Sequence, residues 1–397
     1  MADEAMSMSE RRSYIRQMQP RYRGALKREK QALLDEMEQV TGMHRKSLTR
    51  LLNLRDLRPK PLRRRARRRT YGADVEDVVG MVWESLDGIC AERLTPALGQ
   101  TAEHLAQFDE LVLTDTLRLQ LEQISVSTVQ RILQRRPRLR PRLPRAATER
   151  TNSLRSQVPA ERISWRTRMP GHFEVDLVHH RGPVAHGEYG HTLQLIDVAT
   201  GWSERVVVLG RSQQAMEAGF RQVLARLPFP IRELHPDNGS EFFNAHLLRF
   251  FGEVITDLRL SRSRPYHKND NRYVEQKNAT LVRQYLGFAR LETAEQITRV
   301  NALYDNLWTY YNLFQPVMHL AEKTVVNGRV RRHWDQAQTP YQRLLATGVF
   351  DESAATALAQ RYQETNPRTL RRQIYQQIDH LWRTVSTPAG VDTESVA

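Results

Sequence analysis

Two arginine-proline segments decide how this chain can be partitioned. Residues 55–69, RDLRPKPLRRRARRR, carry nine Lys/Arg against one Asp, and residues 131–150, RILQRRPRLRPRLPRAATER, carry eight Arg against one Glu. Proline lacks a backbone donor, fixes φ, and pushes the residue before it toward extended conformations, so neither segment continues as one helix. Both read as solvated linkers. Together they hold the whole formal excess of +15, which leaves the rest of the 397 residues charge-balanced. Arginine dominates the excess, and its guanidinium fork suits bidentate contact with phosphate. Such runs bind nucleic acid by displacing counterions, without reading sequence.

The same numbers exclude several classes. Length suits two or three domains. The single cysteine, Cys90, excludes a disulfide scaffold and a multi-cysteine zinc module, and fits a reducing compartment. No apolar run is long enough to cross a bilayer, and the start MADEAMSMSERR lacks the apolar core of a signal peptide. The expectation is a cytoplasmic protein, nucleoid-associated when bound to DNA, with no membrane partner.

The linkers separate helical blocks. Residues 20–58 form an expected helix-turn-helix module. Ala32, Leu33, Leu34, Met37 and Val40 supply the apolar face of its first helix, Thr41-Gly42-Met43 the break, and His44–Asn53 the second helix. Leu48, Leu51 and Leu52 point inward there, leaving Arg45, Lys46, Ser47 and Arg50 as candidate DNA contacts. A basic linker at 59–72 adds Arg63, Arg64, Arg65, Arg67, Arg68 and Arg69 to that set. Residues 73–134 read as a second helical module ending in another turn and recognition helix, with Ser127 as N-cap and Thr128, Gln130 and Arg131 facing out. The second linker, 135–164, contributes Arg135, Arg136, Arg138 and Arg140.

From Phe173 the period changes from helical to alternating. Strands are expected at Phe173–His179, Tyr189–Val198 and Glu204–Leu209, followed by a helix at 213–227, a strand at 231–235, a helix at 245–254, a strand at 258–261 and a helix at 270–285. That order predicts a mixed sheet with helices packed on it. An aromatic helix follows at 294–313, and Asn327-Gly328 predicts a tight hairpin within a smaller C-terminal region, 316–397.

Three carboxylates stand out within this region. Asp176 lies mid-strand, where an ionised group is costly unless it meets a cation or hydrogen bonds. Asp237 precedes Asn-Gly at the end of a strand, and Glu275 sits near a helix start 38 positions later. Glu174 shares a strand face with Asp176 and is a rival for its role, whereas Asp197 is expected to stabilise the turn at Ala-Thr-Gly. The histidines 172, 179, 180, 186 and 191 are close in sequence but lack a zinc-ligand spacing. Arg264, His267, Lys268 and Lys277 flank Glu275 and are placed to touch a DNA phosphate.

The segments Pro170-Gly-His-Phe-Glu-Val-Asp-Leu-Val178, Thr192–Trp202, Asp237-Asn-Gly-Ser-Glu-Phe242, Ser263–Asp270 and Val274-Glu-Gln-Lys-Asn278 resemble the catalytic core of DDE transposases and integrases, the retroviral-integrase superfamily, and within it transposases of bacterial insertion sequences. Asn312-Leu-Phe-Gln-Pro316 and Thr339-Pro-Tyr-Gln-Arg343 are similar to that family too. The resemblance implies an RNase H-like mixed sheet with flanking helices over 165–315, with Asp176, Asp237 and Glu275 as catalytic and metal-binding triad. It further implies two Mg²⁺ ions (or Mn²⁺), DNA as partner in the form of terminal inverted repeats and target DNA, and a homo-oligomer on DNA. The corresponding activity is 3′-end cleavage and strand transfer; the competing readings are a non-catalytic DNA-binding regulator and another RNase H-like nuclease.

Overall fold

The computed structural model describes residues 6–54, 70–137, 163–164, 167–183, 186–236, 242, 244–263, 271–326, 329–350 and 352–385. The chain divides into two compact units, Met1–Arg69 and Thr70–Ala397.

The first unit has three helices: α1 (Met8–Gly24), α2 (Lys27–Thr41) and α3 (Arg45–Leu52). Helix α1, which the sequence pattern did not suggest, opens on a capping box in which Ser7 and Glu10 satisfy each other's backbone N–H groups. Its Ile15 and Tyr22 close a core with Leu33, Leu34, Met37, Leu48 and Leu52. The turn between α2 and α3 rests on Gly42, whose φ of +64° ends α2 while its N–H bonds the Glu38 carbonyl. Ala32 and Val40 do not join the apolar face; both are exposed. The buried stripe is narrower than the sequence suggests because only Leu33, Leu34 and Met37 of α2 meet the other two helices.

In the second unit, α4 (Ala73–Ser85), α5 (Ala91–Ala106), α6 (Asp115–Gln123) and α7 (Val126–Leu133) precede the sheet. The N-cap of α7 is Ser125 and not Ser127. Ser125 is extended and its Oγ accepts the N–H of Thr128, while Ser127 already lies in the helix. Strands β1 (His172–His179), β2 (Gly190–Asp197) and β3 (Ser203–Leu209) run antiparallel; helix α8 (Gln213–Arg226) leads to β4 (Glu233–Pro236), and α9 (Ala245–Val254) to β5 (Arg259–Leu260). The sheet order is β3-β2-β1-β4-β5, with β4 parallel to β1 and β5 parallel to β4. Three antiparallel strands extended by two parallel crossovers form the RNase H-like mixed sheet that the resemblance implies.

Alternation along β1 assigns each face its cover. Phe173, Val175 and Leu177 meet Met216, Phe220 and Val223 of α8 and Phe251 of α9. Val178 meets the opposite layer, made by helix α10 (Arg272–Lys277), a π-helical stretch (Asn278–Arg283), α11 (Gln284–Leu286) and α12 (Ala294–Thr309). A second π-helical stretch, Tyr310–Phe314, ends α12. Strands β6 (Leu320–Val326) and β7 (Arg329–Trp334) form the hairpin expected around Asn327-Gly328, which themselves lie outside the described residues. Helices α13 (Pro340–Leu345), α14 (Glu352–Glu364) and α15 (Pro367–Val385) complete the unit, with Leu370, Ile374, Ile378 and Leu381 of α15 joining the core beneath α12.

Helices α4–α7 share one apolar core with the sheet. Polar bonds fix the junction: Tyr310 donates to the Ser85 carbonyl at 2.7 Å, Gln315 to that of Leu86 at 2.9 Å, and Arg371 and Tyr375 to Asp87 at 2.9 and 2.8 Å.

Candidate active site

Cross-strand register builds a polar surface on the face of the sheet that α10 covers. His172, Glu174 and Asp176 alternate onto that face of β1, and parallel pairing sets Glu233 opposite His172 and His235 opposite Glu174. Buried Glu233 accepts from His172 at 2.8 Å and from Ser261 at 2.5 Å, and Ser261 lies 2.7 Å from His235 Nδ1. These contacts tie β1, β4 and β5 together below the carboxylates.

Two bonds then fix α10 on β1. Asn271, at the helix N-cap, makes no side-chain cap bond. Glu174, 2 % exposed, caps the helix from across the interface: one carboxyl oxygen accepts the N–H groups of Tyr273 at 2.7 Å and Val274 at 2.9 Å. One turn later, the Asn278 amide donates to Asp176 Oδ2, whose other oxygen accepts the Leu177 N–H at 2.8 Å. Glu275 lies between these two anchors and is exposed. Burial pushes the Glu174 carboxyl up to about 8; the amide bonds and Arg272 oppose the shift, and the charge of Glu275 adds to it. Glu174, read from sequence as a rival to Asp176, caps the helix that carries Glu275.

Behind Asp176 the polar row continues through Gln194 on β2 and Arg205 on β3, consecutive partners in register. Both are fully buried, and neither polar atom of Gln194 has a hydrogen-bond partner. Arg205 lies 5.7 Å from the Tyr304 ring and 5.9 Å from that of Tyr311, and donates to the Leu281 carbonyl at 3.3 Å. Sequence patterning gave no sign of this row, because a lone Gln or Arg in an apolar strand looks like an outward residue until the second layer is known.

Asp237 lies outside the described residues. Strand β4 ends at Pro236, in register with Val175, the residue before Asp176. Asp197 holds its turn as expected, accepting from Thr200 N at 2.8 Å and Oγ1 at 2.7 Å, and from Gly171 and His172 N–H groups at 2.9 and 3.1 Å. The histidines are engaged separately: His179 with His191 at 2.8 Å, His180 with Thr192 at 2.7 Å, and His172 with Glu233. Among the described residues no group of three or more His, Cys, Asp or Glu side chains is placed to hold a metal.

The basic candidates divide by what answers them. Lys277 points inward, 4.8 Å from the Tyr311 ring, and burial together with the charges of Arg93 and Arg205 pushes it down to about 7. Arg135 pairs with Glu76 at 3.0 Å, and Arg136 bonds the Glu76 carbonyl at 2.6 Å and Asp77 at 3.1 Å, so the start of the second basic segment folds back on α4. Arg131 bonds Ser127 and Thr128 on its own helix, and Gln130 is exposed. In the first unit Arg45 is ion-paired with Asp35; Lys46 and Arg50 are exposed and Ser47 is half-buried. Arg63, Arg64, Arg65, Arg67, Arg68, Arg69, Arg138, Arg140, Arg264, His267 and Lys268 lie outside the described residues.

Over 339 residues the chain is 34% identical to the uncharacterized protein y4rM of Sinorhizobium fredii (strain NBRC 101917 / NGR234), spanning 85% of this chain and 96% of that protein. The chain belongs to the y4rM family. No family model matches it. Among solved structures, the catalytic core domain of BIV integrase overlaps 45% of this chain and 95% of its own at 16% identity, with a TM-score of 0.29. A simian T-cell lymphotropic virus intasome, in complex with PP2A regulatory subunit B56 gamma, overlaps 59% and 86% at 15% identity, with a TM-score of 0.30. The fold of this y4rM-family chain rests on its own strand order, and no helix among the described residues is long and apolar enough to cross a membrane.

Proposed function

We propose that the chain is a DNA transposase, an integrase-type recombinase that binds the ends of a mobile element, cleaves their 3′ strands and joins them to target DNA. The observation that carries this reading is the double anchoring of α10 on β1. Glu174 caps the start of α10 and Asn278 at its end bonds Asp176, so the helix that carries Glu275 is fixed to the strand that carries Asp176. The neighbouring β4 ends at Pro236, one residue before Asp237 in sequence. Phosphodiesters are anionic, so their transfer depends on positioned groups that neutralise charge more than on covalent help.

The side chains suit a hard divalent cation. Asp176 and Glu275 offer carboxylate oxygens, and the side-chain oxygens of Gln194, Asn271 and Asn278 are buried without a hydrogen-bond partner in the same polar layer. Asp176, Asp237 and Glu275 would hold Mg²⁺ or Mn²⁺, two ions in all. Bound there, the metal supplies Lewis-acid stabilisation of the attacking and leaving oxygens. The chain's own work is orientation: Asn278 holds Asp176 by a hydrogen bond, and Glu174 fixes the start of α10.

Helix α3 presents Lys46, Ser47 and Arg50 for DNA, with α7 as a second reader and an oligomer bringing two ends together. The test uses duplexes made from the DNA flanking the coding region, with Mg²⁺. Asp176→Asn and Glu275→Gln should each lower 3′-end cleavage and joining by about 10³-fold or more while retaining end binding and melting temperature. Joining at the wild-type rate by either variant would sink the assignment.

A further inference from the structure

The β6–β7 ribbon carries charges that no side chain among the described residues answers. Its foot is locked. Arg343 clamps Asp335 at 2.7 and 3.1 Å and the Val317 carbonyl at 3.0 Å, Asp335 accepts the His319 N–H at 2.7 Å, and Val317 bridges Gln338. Beyond that foot Glu322, Lys323, Val330, Arg331, Arg332, His333 and Trp334 are all exposed. Between Leu320 and Trp334 the sequence has four Lys/Arg and one Glu. Among the described residues no hydrogen bond or ion pair engages the side chains of Lys323, Arg331 or Arg332.

The register makes this costly. Lys323 stands directly opposite Arg332, and like charges in that position destabilise a ribbon. On the same face, Val330 and Trp334 alternate with Arg332 and are 47 % and 53 % exposed. A two-stranded hairpin is at best marginally stable by itself in water, so the like-charge pair lowers the stability of a marginal element in a way that a bound anion would relieve. Six residues of β7 span about 20 Å, and a two-stranded ribbon fits the major groove of duplex DNA.

We infer that the ribbon is a further DNA-binding element, laid in a groove of duplex DNA, with Lys323, Arg331 and Arg332 on phosphates and Trp334 against the groove wall. It deepens the reading of the chain as a DNA recombinase, adding a contact independent of α3 and α7. The contact needs no particular sequence, because it meets the backbone.

The full chain is titrated into a fluorescent duplex of about 30 base pairs of arbitrary sequence, with anisotropy read at several salt concentrations. Neutralising one phosphate contributes about 0.9 to the slope of log K against log salt. Replacing Lys323, Arg331 and Arg332 together by Ala should therefore flatten the slope by about 2.7. Arg332→Glu alone should weaken binding while raising the melting temperature, since it turns a repulsive pair into an attractive one; a fall in binding then has no unfolding explanation.

An unchanged slope in the triple variant would overturn the inference, as would ribbon-dependent binding to phosphatidylserine vesicles with DNA binding intact. Should wild type bind no duplex at any salt, both this inference and the recombinase reading fail. Should the slope flatten as expected while Asp176→Asn still cleaves, the catalytic reading fails and the ribbon assignment stands.

Discussion

The junction of β1 with α10 and the ribbon of β6 with β7 treat charge in opposite ways. At the junction, Glu174 is buried but accepts two amide N–H groups, and Asp176 is hydrogen-bonded on both oxygens. In the ribbon, Lys323 and Arg332 face each other in the open. Internal partners convert charge into position, which is what chemistry requires. Charge without internal partners is left for another molecule. Arg135 and Arg136, read from sequence as candidates for DNA, carry internal partners on α4, whereas Lys277 is set against the Tyr311 ring.

The comparison can be broken at several points. The largest effect is expected at Glu204 on β3, which is fully buried and accepts from Trp202 at 2.9 Å, Trp308 at 2.6 Å and Arg226 at 2.7 Å. Glu204→Ala strands all three donors and should cost ~3–5 kcal/mol in urea unfolding. Less than about 1 kcal/mol would mean that these interior charges are not answered as described.

At Glu174 stability and activity should separate. Glu174→Ala removes the cap of α10 and should cost about 1–2 kcal/mol. It should also slow end joining about 100-fold by displacing Glu275. Glu174→Gln keeps an oxygen for both N–H groups and should recover most of the joining. Equal losses in the two variants would make Glu174 a reacting group and not a cap.

A pH series sharpens the interior side of the comparison. Burial, reinforced by neighbouring His179, pushes His191 down to about 3, and burial also holds His180 well below the ordinary range. The unfolded chain binds their protons near pH 6.5 and the folded chain does not, so their contribution is complete above pH 6.5 and declines as pH falls from there toward the folded values. The decline should approach about 1.4 kcal/mol per pH unit for each histidine. Unfolding free energy measured from pH 7 to pH 5 should show it, and His191→Gln should flatten the curve. The smallest effect has the opposite sign: Arg332→Glu should stabilise the ribbon by ~0.2–1 kcal/mol. A loss of stability there would mean that Lys323 and Arg332 do not oppose each other.

Much of this architecture is legible in the sequence, and the rest is missing for definable reasons. The strands at 172–179, 190–197 and 203–209 and the helix at 245–254 follow from alternation and helical period. Helix α1 does not, because Ile15 and Tyr22 are sparse among polar residues and their burial depends on α2 and α3. Asp176 and Glu275 stand out as acids in unlikely settings, and the turn role of Asp197 follows from its Thr and Gly neighbours. The roles of Glu174, Gln194 and Asn278 come from contacts between elements far apart in sequence, such as β1 with α10, which no local pattern encodes. The answered arginines have the same origin: Arg135 meets Glu76 only because α7 returns to α4.

The central claim is that β1 and α10 bring Asp176 and Glu275 into one metal-dependent site for phosphoryl transfer. The most direct measurement is Mg²⁺-dependent joining of an element-end duplex to a target plasmid by wild type, Asp176→Asn and Glu275→Gln, with end binding and melting temperature measured on the same samples. The account predicts joining by wild type alone, lost on removing Mg²⁺ and restored by Mn²⁺, with binding and melting unchanged in all three. Joining that survives either substitution, or that persists in excess chelator, would contradict it.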